Sequence, residues 1–220
     1  MNKLIPIALG AAVVIGGGAW LATNQTTSQT AISPISPAVA QDANMELAPD
    51  MTLGEEDAPV TLIEYASFTC PHCADFHERV FEDLKTDYID TGKVQFVHRE
   101  VYFDRFGLMA AQIARCGGED RYFGIADMIY SGQEDWIGSG QPDEITENLT
   151  KIGKVAGLSE DEIGACLADE EKQKAMIAAF QTNASADEVE GTPTLIINGE
   201  KYSNMTYEDL TEILDGLVES

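Results

Sequence analysis

The chain has 220 residues, 44% of them hydrophobic, which is material for one ordinary domain, or a domain with a large insertion, around a sizeable core. Its 38 acidic residues against 13 basic ones leave a formal net charge of −25. Such a surface is repelled by phosphate backbones and anionic head groups. It argues against nucleic acid as a ligand and fits a solvated acidic exterior rather than a specific basic partner.

Residues 1–40 do not read as domain sequence. Lys3 precedes an uncharged apolar run from Leu4 to Ala22, the pattern of a secretory signal or a retained membrane anchor. Pro6 and Gly16-Gly17-Gly18 weaken the run as a helix. The small-x-small site Ala38-Val39-Ala40 lies well past it, and the polar Ser/Thr/Pro-rich stretch between reads as a tether. Both readings put the folded part outside the cytoplasm, where disulfides form and persist. Residues 41–58 are acidic and poorly patterned, and are expected to be a lead-in.

Val60 to Ala66 is a short β-prone apolar run, a central-strand candidate. Ser67-Phe68-Thr69 then turns into Cys70-Pro71-His72-Cys73. From Pro71 the pattern is helical, with Phe76, Val80, Phe81, Leu84 and Tyr88 recurring at threes, fours and fives. Thr91-Gly92 ends this helix, and Lys93 to Val101 alternates like a strand. Residues 105 to about 186 predict helices at 106–117, 119–131, 142–156, 159–168 and 170–185. Pro142 starts one of them, and Ser159 with Glu162 forms a capping box. Trp136 falls in a Gly/Ser/acid-rich loop and is expected as a surface contact. Thr194 to Asn198 is a β run, Asn198-Gly199 a hairpin turn, and Lys201 to Ser203 the returning strand. A last helix from Thr206 to Val218 places Leu210, Ile213, Leu214 and Leu217 on one face.

This order predicts an α/β protein with a mixed α+β sheet, interrupted by an all-helical insert. The expected organisation is a signal or anchor with tether at 1–40, a lead-in at 41–58, one domain formed by 59–104 and 187–220, and the inserted helical subdomain at 105–186.

The four cysteines are Cys70, Cys73, Cys116 and Cys166. Thiol–disulfide exchange needs a thiolate, and Cys70 directly precedes a helix whose unpaired N–H groups and dipole stabilise an anion. His72 adds a cationic or N–H donor, and Cys73 lies one turn inside the helix. Cys70 is therefore expected to attack or leave, and Cys73 to resolve the mixed disulfide. A C-x-x-C can instead be half of a zinc site. No second C-x-x-C or His pair completes tetrahedral ligation here, so no metal and no cofactor is expected. A merely structural Cys70–Cys73 bond would close a tiny loop and constrain little. Cys116 and Cys166 are read as a staple between two helices, enclosing about fifty residues and worth about 4 kcal/mol in loop entropy. A second redox pair and two free thiols are the alternatives. His77 and His98 have no ligand partner at a useful spacing and are expected to be structural or solvent-facing.

Glu64-Tyr65-Ala66-Ser67-Phe68-Thr69-Cys70-Pro71-His72-Cys73, the helix with Phe76, and the later Gly191-Thr192-Pro193-Thr194 resemble the DsbA family of periplasmic disulfide oxidases. The resemblance covers roughly residues 55 to 218 and implies a thioredoxin-like fold. It implies that Cys70 is the nucleophile, Cys73 the more buried resolving thiol, and His72 a tuner of Cys70. Pro193 would be a cis-proline facing the disulfide, and Thr192 would offer backbone hydrogen bonds to a bound peptide. Glu64 would be a buried acid relaying protons to Cys73; a solvent-facing strand residue is the other reading of that position. Phe68 would line an apolar peptide groove or pack in the core. The implied activity is introduction of disulfides into exported proteins, with reoxidation by a DsbB-like membrane quinone reductase. Thr192 before the proline is shared with isomerase-like relatives, so an isomerase or reductase is an alternative direction. A redox-inactive peptide-binding chaperone is a third reading, opposed by the intact cysteine pair. Residues 41–58 leave no room for a separate dimerisation domain, which favours a monomer.

Overall fold

The computed structural model describes residues 46–219, so the expected signal or anchor at 1–40 lies outside the described residues. Among the described residues no helix is long and apolar enough to cross a membrane.

Five strands form one mixed sheet: β1 (Met51–Leu53), β2 (Val60–Ala66), β3 (Val94–Glu100), β4 (Thr194–Ile197) and β5 (Glu200–Ser203), in the order β1-β3-β2-β4-β5. β2 and β3 pair in parallel, and the remaining pairs are antiparallel. The parallel pair is joined by helix α1, as a parallel crossover requires. α1 starts at Pro71 and runs to Ile89, with α-helical turns Pro71–Phe76 and Glu82–Leu84 alternating with π-helical turns His77–Phe81 and Lys85–Ile89. The wide turns accommodate the apolar spacings of five in this segment. β4 returns through Asn198 and Gly199, both at positive φ (47° and 87°), the geometry that suits the twist of a two-residue hairpin.

Between β3 and β4 lie α2 (Arg105–Cys116), α3 (Glu119–Ser131), α4 (Gln133–Ile137), α5 (Pro142–Val155), α6 (Glu160–Leu167) and α7 (Glu170–Ala186); α8 (Tyr207–Val218) closes the chain. Asp104 caps α2 by accepting from the N–H groups of Phe106 and Gly107, and the Ser159/Glu162 capping box starts α6. The sheet, α1 and α8 share one apolar core built on Val60, Leu62, Phe76, Leu84, Phe96, Leu195 and Leu210. The inserted helices enclose a second core that includes Ala110, Ile113, Ile129 and Leu149 and reaches Phe68, Cys70 and Cys73. The α/β mixed sheet with an inserted helical block is thus the observed architecture.

Two expectations need correction. The stretch read as an unpatterned lead-in contains β1, and Asp50 and Pro49 beside it bond to Arg99 and Arg115. Three residues are too few to show a period of two. Trp136 is no surface contact: it sits in α4, 1% exposed, and its Nε1–H donates to the Ile129 carbonyl at 2.8 Å. A five-residue helix between Gly132 and Gly138 carries no readable periodicity either.

Candidate active site

Cys70 is the N-cap of α1, with extended backbone (φ −85°, ψ 118°) and no side-chain cap. Its carbonyl accepts the N–H groups of Cys73 and Ala74, which starts the helix and brings the two sulfurs together. Gln133, from α4 in the insert, donates to the carbonyls of Phe68 (2.8 Å) and Cys70 (3.0 Å) and fixes the turn from the other side. On the facing side the Thr192–Pro193 peptide bond is cis, and the Thr192 carbonyl lies 3.5 Å from Cys70 Sγ.

The two thiols are free and unequal. The Cys70 thiol is lowered to about 5, foremost by the hydrogen bond from the Cys73 thiol, with Thr192 and the backbone N–H groups of Cys73 and His72 adding to it against desolvation. Among the described residues the buried Thr192 hydroxyl has no other hydrogen-bond partner. Cys73 is fully buried, and desolvation, the Cys70 hydrogen bond and the Glu64 charge push its thiol far up. His72 is exposed, and its backbone N–H is among the groups that lower the Cys70 thiol. Phe68 does not line a groove: it is 1% exposed and its ring packs on His98 and Tyr130. Pro193 is buried beside Cys70, and Thr192 is half-buried.

Strand alternation explains a cluster that sequence reasoning missed. Val60 and Leu62 of β2 face α1, so Glu64, two residues on, faces it too; Val94 and Phe96 of β3 set His98 on the same face. The parallel register makes Glu64 and His98 Cα partners. Glu64 is completely buried, which excludes the solvent-facing reading, and its Oε2 lies 3.0 Å from His77 Nε2. His77 stacks on the Tyr130 ring at 4.0 Å. His77 and His98 are both buried, so the solvent-facing expectation fails for each.

From His98 the network continues into the insert. Tyr122 donates to Glu100 (2.8 Å), so it must accept from His98 Nδ1–H (2.7 Å), which leaves His98 Nε2 to accept from the Tyr130 hydroxyl (3.1 Å). This neutral tautomer agrees with burial lowering His98 to about 4. Arg115 holds Glu100 by a bidentate pair at 2.7 and 2.6 Å, keeping that buried carboxyl below its usual range against desolvation. Ligand-type atoms of Glu64, His77 and His98 lie within 4.8 Å of one another, the one such grouping among the described residues, but these hydrogen bonds already engage both His98 nitrogens and His77 Nε2.

Cys116, at the end of α2, and Cys166, in α6, form a disulfide with a Cα separation of 6.0 Å. A groove of about 780 Å³ opens beside α1, walled by Pro71, Ala74, His77, Phe81, Asp127 and Tyr130 among others.

A thioredoxin family model matches residues 46–216. A Rickettsia bellii protein provisionally named a protein-disulfide oxidoreductase is 34% identical over 171 residues, 77% of this chain and 65% of the relative, so the chain spans under two thirds of that relative's length. Disulfide bond formation protein D of Bacillus subtilis is 25% identical over 172 residues, 74% of each chain. The crystal structure of Wolbachia pipientis alpha-DsbA1 superposes with a TM-score of 0.73 at 26% identity, covering 82% of this chain and 96% of that one. The cysteine motif at a helix start, the cis-proline opposite it and these likenesses place the chain in the thioredoxin family, among its DsbA-type members.

Proposed function

We propose that this chain works outside the cytoplasm and introduces disulfides into exported proteins through Cys70 and Cys73. The observation that carries the reading is the inequality of the sulfurs: Cys70 is lowered to about 5 while Cys73 is pushed far up. A substrate thiolate attacks Cys70 Sγ of the oxidised pair. The Cys70–Cys73 bond breaks, Cys73 leaves and takes a proton, and a mixed disulfide forms at Cys70. A second substrate thiolate then attacks the substrate sulfur, and Cys70 leaves as the stabilised thiolate. The substrate loses two electrons and the pair gains them. A DsbB-like membrane quinone reductase is the proposed reoxidant.

Stabilising the Cys70 thiolate stabilises the reduced form and makes the pair oxidising, which favours the oxidase direction over isomerase or reductase. Thr192 and cis-Pro193 are the proposed edge for a bound peptide, the Thr192 carbonyl lying 3.5 Å from Cys70 Sγ. The proposed organisation is a thioredoxin-like frame at 59–104 and 187–220, a helical insert at 105–186, and a monomeric chain exported or anchored through residues 1–40.

The test is refolding of a reduced two-disulfide protein by the oxidised chain, with Cys70→Ser and Cys73→Ser alongside. Neither variant can form the Cys70–Cys73 disulfide, so both should be inactive. Variants that match the unmodified chain would defeat the proposal.

A further inference from the structure

The proposed exchange moves a proton that has no path of its own. Cys73 must gain one when it leaves and give one up when it attacks, yet its side chain is sealed from water. Glu64, whose charge acts on Cys73, is sealed as well. We infer that His77 passes this proton between Glu64 and solvent through the groove beside α1, an inference that rests on the proposed Cys70/Cys73 exchange.

The dyad has the connections such a relay needs. The Glu64 Oε2–His77 Nε2 contact of 3.0 Å requires one proton between its two atoms. Glu64 Oε1 and His77 Nδ1 are both buried with no hydrogen-bond partner among the described residues. A structural pair would be expected to satisfy those atoms, since buried polar groups are rarely left unbonded. Each partner therefore keeps one open position, a carboxylate oxygen on one side and a ring nitrogen on the other. His77 also lines the groove, with Pro71, Ala74, Phe81 and Tyr130. Imidazole can accept a proton at one nitrogen and release one at the other, which a glutamine or asparagine cannot do.

The charged and titratable surroundings are consistent with this direction. Glu64 faces His77 from β2, His98 from β3 at 5.8 Å between rings, and Tyr130 from α3. His98 and Tyr130 are bonded to each other, and burial keeps His98 neutral. Cys73, Asp75, Glu78, Glu82 and Lys85 lie on α1 itself, and Asp127, Glu134 and Asp135 reach the groove from α3 and α4. The groove carboxylates favour a proton over an anion at its mouth.

In the forward step Cys73 leaves as thiolate and takes the dyad's proton. That proton is the one His77 Nε2 passes through Glu64, and solvent replaces it at His77 Nδ1. In reoxidation Cys70 is first held in a mixed disulfide with the oxidant. The Cys73 thiol passes its proton to Glu64, which hands one to His77 Nε2 as Nδ1 releases one to solvent. The Cys73 thiolate attacks Cys70 Sγ, so that the mixed disulfide breaks and the oxidant's sulfur leaves as thiolate. His77 touches no sulfur and is a positioning residue that acts through Glu64.

The test mixes the reduced chain with excess oxidised glutathione and follows resolution of the Cys70–glutathione mixed disulfide by acid quench and mass spectrometry, from about pH 5 to 9. Iodoacetamide alkylation of Cys70 is the control for the first thiol. His77→Gln should slow resolution by about 10-fold or more, while alkylation stays within about 2-fold. Added imidazole should restore His77→Ala. Resolution of His77→Gln at the unmodified rate across the range, or a folded His77→Ala that imidazole does not restore, would overturn the relay. Should both variants fail to fold, nitrogen NMR of the unmodified chain decides. The His77 ring must then respond to pH or to the redox state of the pair, and a ring indifferent to both refutes the inference. An unmodified chain that never resolves the mixed disulfide defeats the exchange reading itself, a separate result.

Discussion

Acidifying the reduced protein should remove stability that the oxidised protein never had. The Cys70 thiol is lowered from 9.0 to about 5, so between those values the unfolded chain binds a proton that the folded chain does not. Stability from this group is complete above pH 9, declines as pH falls, and is gone below about 5. At pH 7 two of the four units remain effective, about 2.7 kcal/mol at 1.36 kcal/mol per unit. Cys70 stands at the edge of the surface, and solvent screening reduces this to about 1–2 kcal/mol. Cys73 contributes nothing in this window, because its raised thiol is protonated in both states. His98, lowered to about 4, titrates in both redox forms and cancels in their difference. Urea unfolding of reduced and oxidised protein at pH 7 and pH 4 isolates the effect. The reduced-minus-oxidised difference should be larger at pH 7 by about 1–2 kcal/mol, which corresponds to a potential raised by about 20–40 mV. A difference that is flat between the two pH values would refute the claim that a Cys70 thiolate stabilises the reduced fold.

Arg115→Met should destabilise the chain by about 3–5 kcal/mol in urea unfolding, because it leaves the buried Glu100 carboxylate unpaired. Replacing both Cys116 and Cys166 by Ala opens a 50-residue loop between α2 and α6 and should lower stability by about 2–4 kcal/mol, read as a shift in the urea midpoint. Gly54→Ala meets two obstacles: φ is +95°, and the added Cβ would sit 2.7 Å from the Val94 carbonyl oxygen, a fixed backbone atom. A loss of about 1–3 kcal/mol is expected, with early hydrogen exchange in β1 as its signature.

What could be read in the sequence was what repeats or what has a fixed spacing. The C-x-x-C at a helix start, the Asn198-Gly199 hairpin and the Ser159 capping box depend on neighbours within a few residues, and each appears where local chemistry puts it. The network behind Cys73 depends on register. Glu64 and His98 are 34 positions apart and become partners only when β2 and β3 align in parallel. Each strand alone shows its polar residue continuing an apolar row, and that mismatch was the available signal. His77 hid for another reason: on α1 it neighbours Phe76, and its only advertisement is a histidine on an apolar helix face. Phe68 was ambiguous because an aromatic beside a reactive cysteine serves a groove or a core equally well, and the Tyr130 ring that decides it arrives from 62 residues away. β1 and α4 are too short to show any period.

The placement of these residues gives the insert a role in the chemistry as well as in stability. Cys70 is held between two parts of the chain distant in sequence. The frame supplies α1 and the cis-Pro193 loop; the insert supplies Gln133, whose amide grips the carbonyls of Phe68 and Cys70 from α4. The insert also supplies Tyr130, stacked on His77, and Tyr122 and Arg115, which satisfy His98 and Glu100 at the ends of the strand row. Without those partners β3 would carry a buried histidine and a buried carboxylate with nothing to bond, a penalty of several kcal/mol per charge. The frame's polar row and the insert's tyrosines and arginine are therefore complementary halves of one buried network. Glu64 of that network acts on Cys73 by its charge, so the fully buried thiol is set against the network rather than against water.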